Sequence, residues 1–253
     1  MIELLLVGIG TGNPEHLTLQ AIRALNSAEL ILIPRKGLDK ADLADLRRTI
    51  CAEVVTNPTT RIVEFDLPRR DTVNPDYHRS VDDWHDAVAL VWSETIRSQL
   101  SGSGSVALLV WGDPALFDSA LRIAARLNPA PRVQVIPGIT SIQALTALHA
   151  MPLNDIGAAF LVTTGRQLRE AGWPENVRTL VVMLDGDCAF QHLDSGGVTI
   201  WWGAYLGMAG EIILSGPLAD IGPRIQTARA DGRARNGWIM DVYILRRQSA
   251  ERR

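Results

Sequence analysis

Nearly continuous apolar runs, each followed by a stretch of helical spacing, constrain the first 150 residues more than any other feature. The opening run "IELLLVGIG" does not alternate, which is the pattern of a strand covered on both faces of a parallel sheet. "TGNPEHLT" breaks it, and Leu17, Ala21, Ala24, Leu25 and Ala28 then recur at helical spacing. "ELILIPR" (Glu29 to Arg35) is a second buried strand, "DKADLADLRRTICAEV" a helix and "RIVEFDLP" a third strand. A long helix spans 74–104, with Trp84, Val88, Val91, Trp92 and Ile96 on its apolar side, until a Ser/Gly cluster stops it. "SVALLVWG" predicts a fourth strand, "SALRIAARL" a helix, "RVQVIPG" a fifth strand and "ITSIQALTALHA" a further helix. Such alternation means a parallel or mostly parallel sheet with helices on its faces.

"MPLND", Met151 to Asp155, reads as a linker, and the spacing changes after it. "GAAFLVTT", "TLVVMLDG", "GVTIWWGAY", "GEIILSG" and "GWIMDVYILRR" predict five strands with fewer and shorter helices between them. Two of these strands are close enough in sequence to favour a hairpin. The expectation is therefore two α/β domains, 1–150 with a mostly parallel sheet and 151–253 with a mixed one.

Composition excludes several classes. Apolar residues make up 47% and charged residues 21% of the 253 residues, which suits a packed core and argues against disorder. A net charge of −3 disfavours broad nucleic-acid binding, which needs clustered Lys and Arg. The two lysines, Lys36 and Lys40, are outnumbered by arginines. Genomic base composition accounts for this bias; the functional reading is bidentate pairing with a substrate bearing several carboxylates. Cys51 and Cys188 have no partner nearby in sequence, so they read as buried thiols in a reducing cytoplasm. His16, His78, His85, His149 and His192 show no metal-ligand spacing, and no metal is expected. His78 and His85 are two helical turns apart, which permits a shared face. The start "MIELLLVGIG" lacks the basic opening of a signal peptide. No apolar stretch reaches the roughly 20 residues of a membrane span.

Three predicted strands of the first domain end in loops with special backbone chemistry. The first ends in "GIGTGNP", the fourth in "WGDP" and the fifth in "PGITS". Ligands bind beyond the carboxyl ends of parallel strands, and glycine lets backbone approach a ligand closely. The first loop fits a dinucleotide fingerprint poorly. Gly8 and Gly10 suit G-x-G-x-x-G, but Asn13 holds the third glycine's place, and strand two ends in Arg and Lys where a ribose-binding acid should be.

Taken in order, "VGIGTGNPEHLTLQAIRAL", "ALLVWGDPALFDS", "VIPGITSIQAL" and "SGPLADI" resemble the tetrapyrrole methylases, a family of S-adenosylmethionine-dependent methyltransferases. The resemblance covers nearly the whole chain. It implies two α/β domains with the cofactor in the cleft between them, a homodimer, a tetrapyrrole substrate, and S-adenosylhomocysteine as product. "PRKG" and "LVVMLDGDCAF" bring the chain nearest to members that methylate precorrin-5 at C-1 and release acetate. Carried over by motif, the implied cofactor contacts are Gly10, Thr11, Trp111, Gly112, Asp113, Ala115, Leu116, Thr140, Ser141, Met183, Leu184, Gly203 and Ala204. Thr11 stands where most relatives have proline.

Methyl transfer from a sulfonium needs alignment more than a strong base, and orientation supplies roughly 7–11 kcal/mol in well-oriented reactions. Deacetylation would be helped by a base, for which His78, His85, Asp66 and Asp113 are the candidates. Asp113 has a structural alternative, capping a helix that begins near Ala115. Arg35, Lys36, Arg69 and Arg70 follow predicted strand ends and could pair with substrate carboxylates. Competing readings are a tetrapyrrole C-methyltransferase without deacetylation, a nicotinamide-dependent oxidoreductase and a non-catalytic binding module.

Overall fold

The computed structural model describes all residues except 36–40, 72, 74, 75 and 249–253. The described chain forms two compact units, Met1–Thr140 and Ser141–Arg253.

The first unit runs β1 (Ile2–Gly8), α1 (Leu19–Ser27), β2 (Leu30–Arg35), α2 (Ala41–Val54), β3 (Arg61–Asp66), α3 (Tyr77–Gln99), β4 (Gly104–Val110), α4 (Ala120–Ala124) and β5 (Arg132–Ile136). Its strands are all parallel, in the order β3-β2-β4-β1-β5. The unalternating runs have a direct cause. Leu4, Leu6, Leu30, Leu32 and Leu108 face α3 and α4, whereas Leu5, Val7, Ile31, Ile33 and Leu109 face α1 and α2. Each such side chain taken from water contributes about 1.5–3 kcal/mol. Along α3 the expected stripe is present, with Val88, Trp92 and Ile96 buried and Trp84 and Val91 partly so. The Asp76 carboxylate caps this helix by accepting from the Arg79 N–H.

Register decides where the loops go. Gly8 lies opposite Val110 and Val7 opposite Ile136, so the turns leaving β1, β4 and β5 start side by side.

The second unit comprises α5 (Ser141–Leu148), β6 (Phe160–Thr164), α6 (Gly165–Ala171), β7 (Thr179–Met183), β8 (Val198–Ala204), β9 (Ile212–Pro217), α7 (Leu218–Asn236) and β10 (Asp241–Arg247). Its sheet, ordered β6-β7-β10-β8-β9, is mixed as expected. β6 and β7 are parallel, β10 runs antiparallel to β7 and β8, and β8 and β9 form the hairpin. Helix α5 packs on β8 and β10 and groups with the second unit. Helix α7 is long, at 19 residues, where the spacing predicted shorter helices between these strands than in the first domain. It carries Pro223 inside and few apolar residues, so its periodicity is faint, and packing against β8 and β9 sustains it.

Candidate active site

Three turns meet above the carboxyl end of the first sheet. Gly10 and Gly112 exchange backbone hydrogen bonds as an isolated antiparallel bridge. A Cβ on Gly8 would come within 2.6 Å of the Gly138 nitrogen and 2.8 Å of the Gly112 carbonyl oxygen. Only glycine allows this three-way approach of main chains. Gly10 and Gly112 have φ of 75° and 61°, a region that side chains rarely enter. A Cβ on Gly112 would meet just the Thr140 Cα, at 3.7 Å, so that face has room beside the Thr140 turn.

Asp113 stitches the junction together. One carboxylate oxygen accepts from the Ala115 N–H at 2.8 Å and the other from the Gly138 N–H at 3.0 Å. No helix begins at Ala115; α4 starts at Ala120, and Asp113 caps a turn while tying the β4 exit to the β5 exit. With both oxygens held by main-chain donors, it is poorly placed to act as a base. Thr11 is buried, with its hydroxyl 3.1 Å from His16 Nδ1. Ala115 is exposed, whereas Leu116 and Trp111 are half-buried.

Among the remaining predicted residues, Ser141 opens α5. Met183 ends β7, and Leu184 follows in a left-handed conformation (φ 52°) with an exposed apolar side chain. Gly203 and Ala204 are buried in β8, and a Cβ on Gly203 would press on Leu206 and Leu145. Any ligand contact from these two residues is therefore through main chain. Arg35 is paired with Asp66 at 2.9 Å and lies 3.8 Å from Glu64. Lys36 lies outside the described residues. Arg69 and Arg70 are exposed, and Arg70 stacks over Tyr77 at 5.3 Å.

The two α3 histidines do not share a role. His78 is exposed beside Tyr77. His85 is buried, and its Nε2 lies 2.9 Å from Ser119 Oγ. Burial first, then the nearby Arg126, lowers its pKa, so its ring is neutral at pH 7 and able to accept a proton.

Ser119 belongs to the wall of a cavity of about 180 Å³ in the first unit. The ends of β2, β3 and β4 form one side, and Arg47 of α2 with Trp84 and Trp92 of α3 form much of the rest. The sequence reading missed this cavity. Its available signal is Arg47 itself, a charge between Ala44 and Ile50 at core-facing positions of α2.

Compared with known proteins, residues 3–222 match the family of Tetrapyrrole (Corrin/Porphyrin) Methylases, and the chain belongs to that family. It is 49% identical to precorrin-6A synthase [deacetylating] of Sinorhizobium sp over 251 residues, covering 98% of this chain and 96% of that one. A cobalamin synthesis related protein, CobF, from Corynebacterium diphtheriae has a crystal structure that superposes with a TM-score of 0.83 at 38% identity, covering 98% of this chain and all (100%) of that one. Uroporphyrin-III C-methyl transferase from Thermus thermophilus, crystallised with S-adenosyl homocysteine, shares the fold at a TM-score of 0.55 and 20% identity, covering 96% of each chain.

Proposed function

We propose that the protein methylates precorrin-5 at C-1 with S-adenosylmethionine and releases the acetyl group as acetate, giving precorrin-6A. The likeness to a deacetylating precorrin-6A synthase along almost the full length of both chains carries this reading. The meeting of the Gly10, Gly112 and Thr140 turns supports the cofactor assignment. It offers main-chain groups and an open glycine face, where an amino-acid carboxylate and ammonium can be held without side chains.

When bound, S-adenosylmethionine supplies an electrophilic methyl group on a sulfonium. Trp111, Gly112 and the Thr140 turn would hold and orient it. Thr11 contributes its main chain, because its hydroxyl is committed to His16. Arg69 and Arg70 are the better-placed partners for substrate carboxylates, since Arg35 already has acidic partners. Of the four candidate bases, His85 fits best. It is neutral and buried, and Ser119 links it to the cavity. We include in this reading a homodimer and a cytoplasmic setting; no helix among the described residues is long and apolar enough to cross a membrane.

Incubation with methyl-labelled cofactor and precorrin-5, followed by mass analysis of the pigment and assay of acetate, tests the proposal. Labelled product with one acetate released per methyl transferred is expected. Methylation without acetate would move the protein to a non-deacetylating member of the family.

A further inference from the structure

The cavity beside β4 holds an arrangement that its own side chains do not satisfy. Arg47 is only 8% exposed, and its Nε and Nη1 donate to the Leu109 and Leu43 carbonyls. Among the described residues no carboxylate lies within ion-pairing distance of it. Asp118 is the acid whose field acts on it most, but its Oδ1 is occupied by the Ala120 N–H. Burial pushes the Arg47 pKa down to about 10, which still leaves it charged at neutral pH. A buried charge without a counterion is costly.

Two further donors share the wall. Trp111 stacks under Arg47 at 4.8 Å, and its indole N–H is buried without an acceptor. The indole N–H of Trp92, a side chain 5% exposed, is likewise unpartnered. One guanidinium and two orphan N–H groups around 180 Å³ form a site for a small anion with a compact apolar part, because the other lining residues include Leu43, Phe65, Val88 and Ile123.

We propose that this cavity is an acetyl and acetate pocket: it receives the substrate's acetyl group, and Arg47 with Trp111 binds the oxyanion formed there and then the departing acetate. The assignment rests on the deacetylating reading above. In that reaction water adds its oxygen to the acetyl carbon and gives up a proton, and the carbonyl π pair becomes an oxyanion. On collapse the bond between ring carbon and acetyl carbon breaks. Its electron pair stays on the ring carbon, which uses it to form the new C–CH3 bond as the sulfonium keeps the S–CH3 pair. Acetic acid loses its proton. One water and one sulfonium methyl enter; acetate, two protons and the thioether leave. Fixed donors aimed at a developing oxyanion are among the larger sources of rate in acyl chemistry.

Acetate itself is the probe, because three tryptophans line the cavity. Titrating the full-length protein with sodium acetate at pH 7 and constant ionic strength should give a saturable change in tryptophan fluorescence. Neutral acetamide should give none. Arg47→Met should weaken acetate binding at least about tenfold, and Trp111→Phe, which keeps the ring but removes the N–H, should weaken it severalfold at unchanged Tm. An acetate response that is linear, or matched by acetamide, or retained in both variants, overturns the proposal. In turnover, Arg47→Met should lower kcat with KM nearly unchanged. A raised KM at unchanged kcat would assign the cavity to a carboxylate arm of the substrate and equally overturn it. Failure of the wild-type protein to release acetate from precorrin-5, with acetate binding intact, would instead count against the reaction.

Discussion

A single buried imidazole has consequences for both chemistry and stability. His85 sits in α3 with Ser119 on one nitrogen, and its other nitrogen is buried without a partner. Arg126, which reaches Asp82 and Asp86 at 2.8 Å each, adds its positive field to the effect of burial. The folded-state pKa is thus below the unfolded value of about 6.5. Between those two values the unfolded chain binds more protons, so stability rises with pH. This contribution is complete above about pH 6.5 and is lost as pH falls toward the folded pKa. His85→Gln keeps the size and a hydrogen-bonding end but cannot titrate. Urea midpoints measured from pH 7.5 down to 5 should fall more steeply for the wild type than for His85→Gln. Parallel curves would show that His85 has no depressed pKa.

At the scale of the elements, the junction of the β1, β4 and β5 exits is the most constrained feature of the first unit. A Cβ on Gly138 would overlap the Gly112 carbonyl oxygen and press on the Gly8 main chain. None of these atoms belongs to a flexible side chain, so Gly138→Ala must push the turns apart. A loss of about 1–3 kcal/mol in stability is expected, with at least about tenfold weaker binding of S-adenosylhomocysteine by calorimetry. Gly210→Ala, whose Cβ meets nothing within 4 Å, is the matched control and should change neither quantity. Wild-type affinity in Gly138→Ala would separate the junction from the cofactor. The strands that build this junction were legible as unbroken apolar runs, since both sheet faces are covered. The glycines were legible as loop features, but not their mutual contact, because register across β1, β4 and β5 is a tertiary fact. The Asp185 cluster was hidden for the same reason. Its buried carboxylate accepts from Tyr243, Arg169 and the Ala189 N–H, groups spread from position 169 to 243. Arg47 was overlooked because a lone arginine in a helix ordinarily points to solvent.

For the whole molecule, the question is which nucleoside the chain takes. A dinucleotide fold needs its glycine loop to run straight into a helix whose N-terminus faces the pyrophosphate. Here Asn13 accepts from the Glu15 N–H and heads a short 3-10 turn, Pro14–His16, and α1 begins only at Leu19 under a separate cap, Thr18. The end of β2 carries Arg35 in place of a ribose-binding acid. Among the described residues, neither a helix N-terminus nor a hydrogen-bonding acid stands where NAD would use it, whereas the glycine junction suits a compact amino-acid nucleoside. Ligand binding to the native state alone stabilises by RT ln(1 + [L]/Kd), about 2.7 kcal/mol at a hundredfold excess over Kd. For a chain of 253 residues, that raises Tm by roughly 5–10 °C. S-adenosylhomocysteine should therefore lift the melting curve by that amount, while NAD at the same concentration leaves it in place. A shift with NAD and none with S-adenosylhomocysteine would mean that the glycine turns hold a dinucleotide after all.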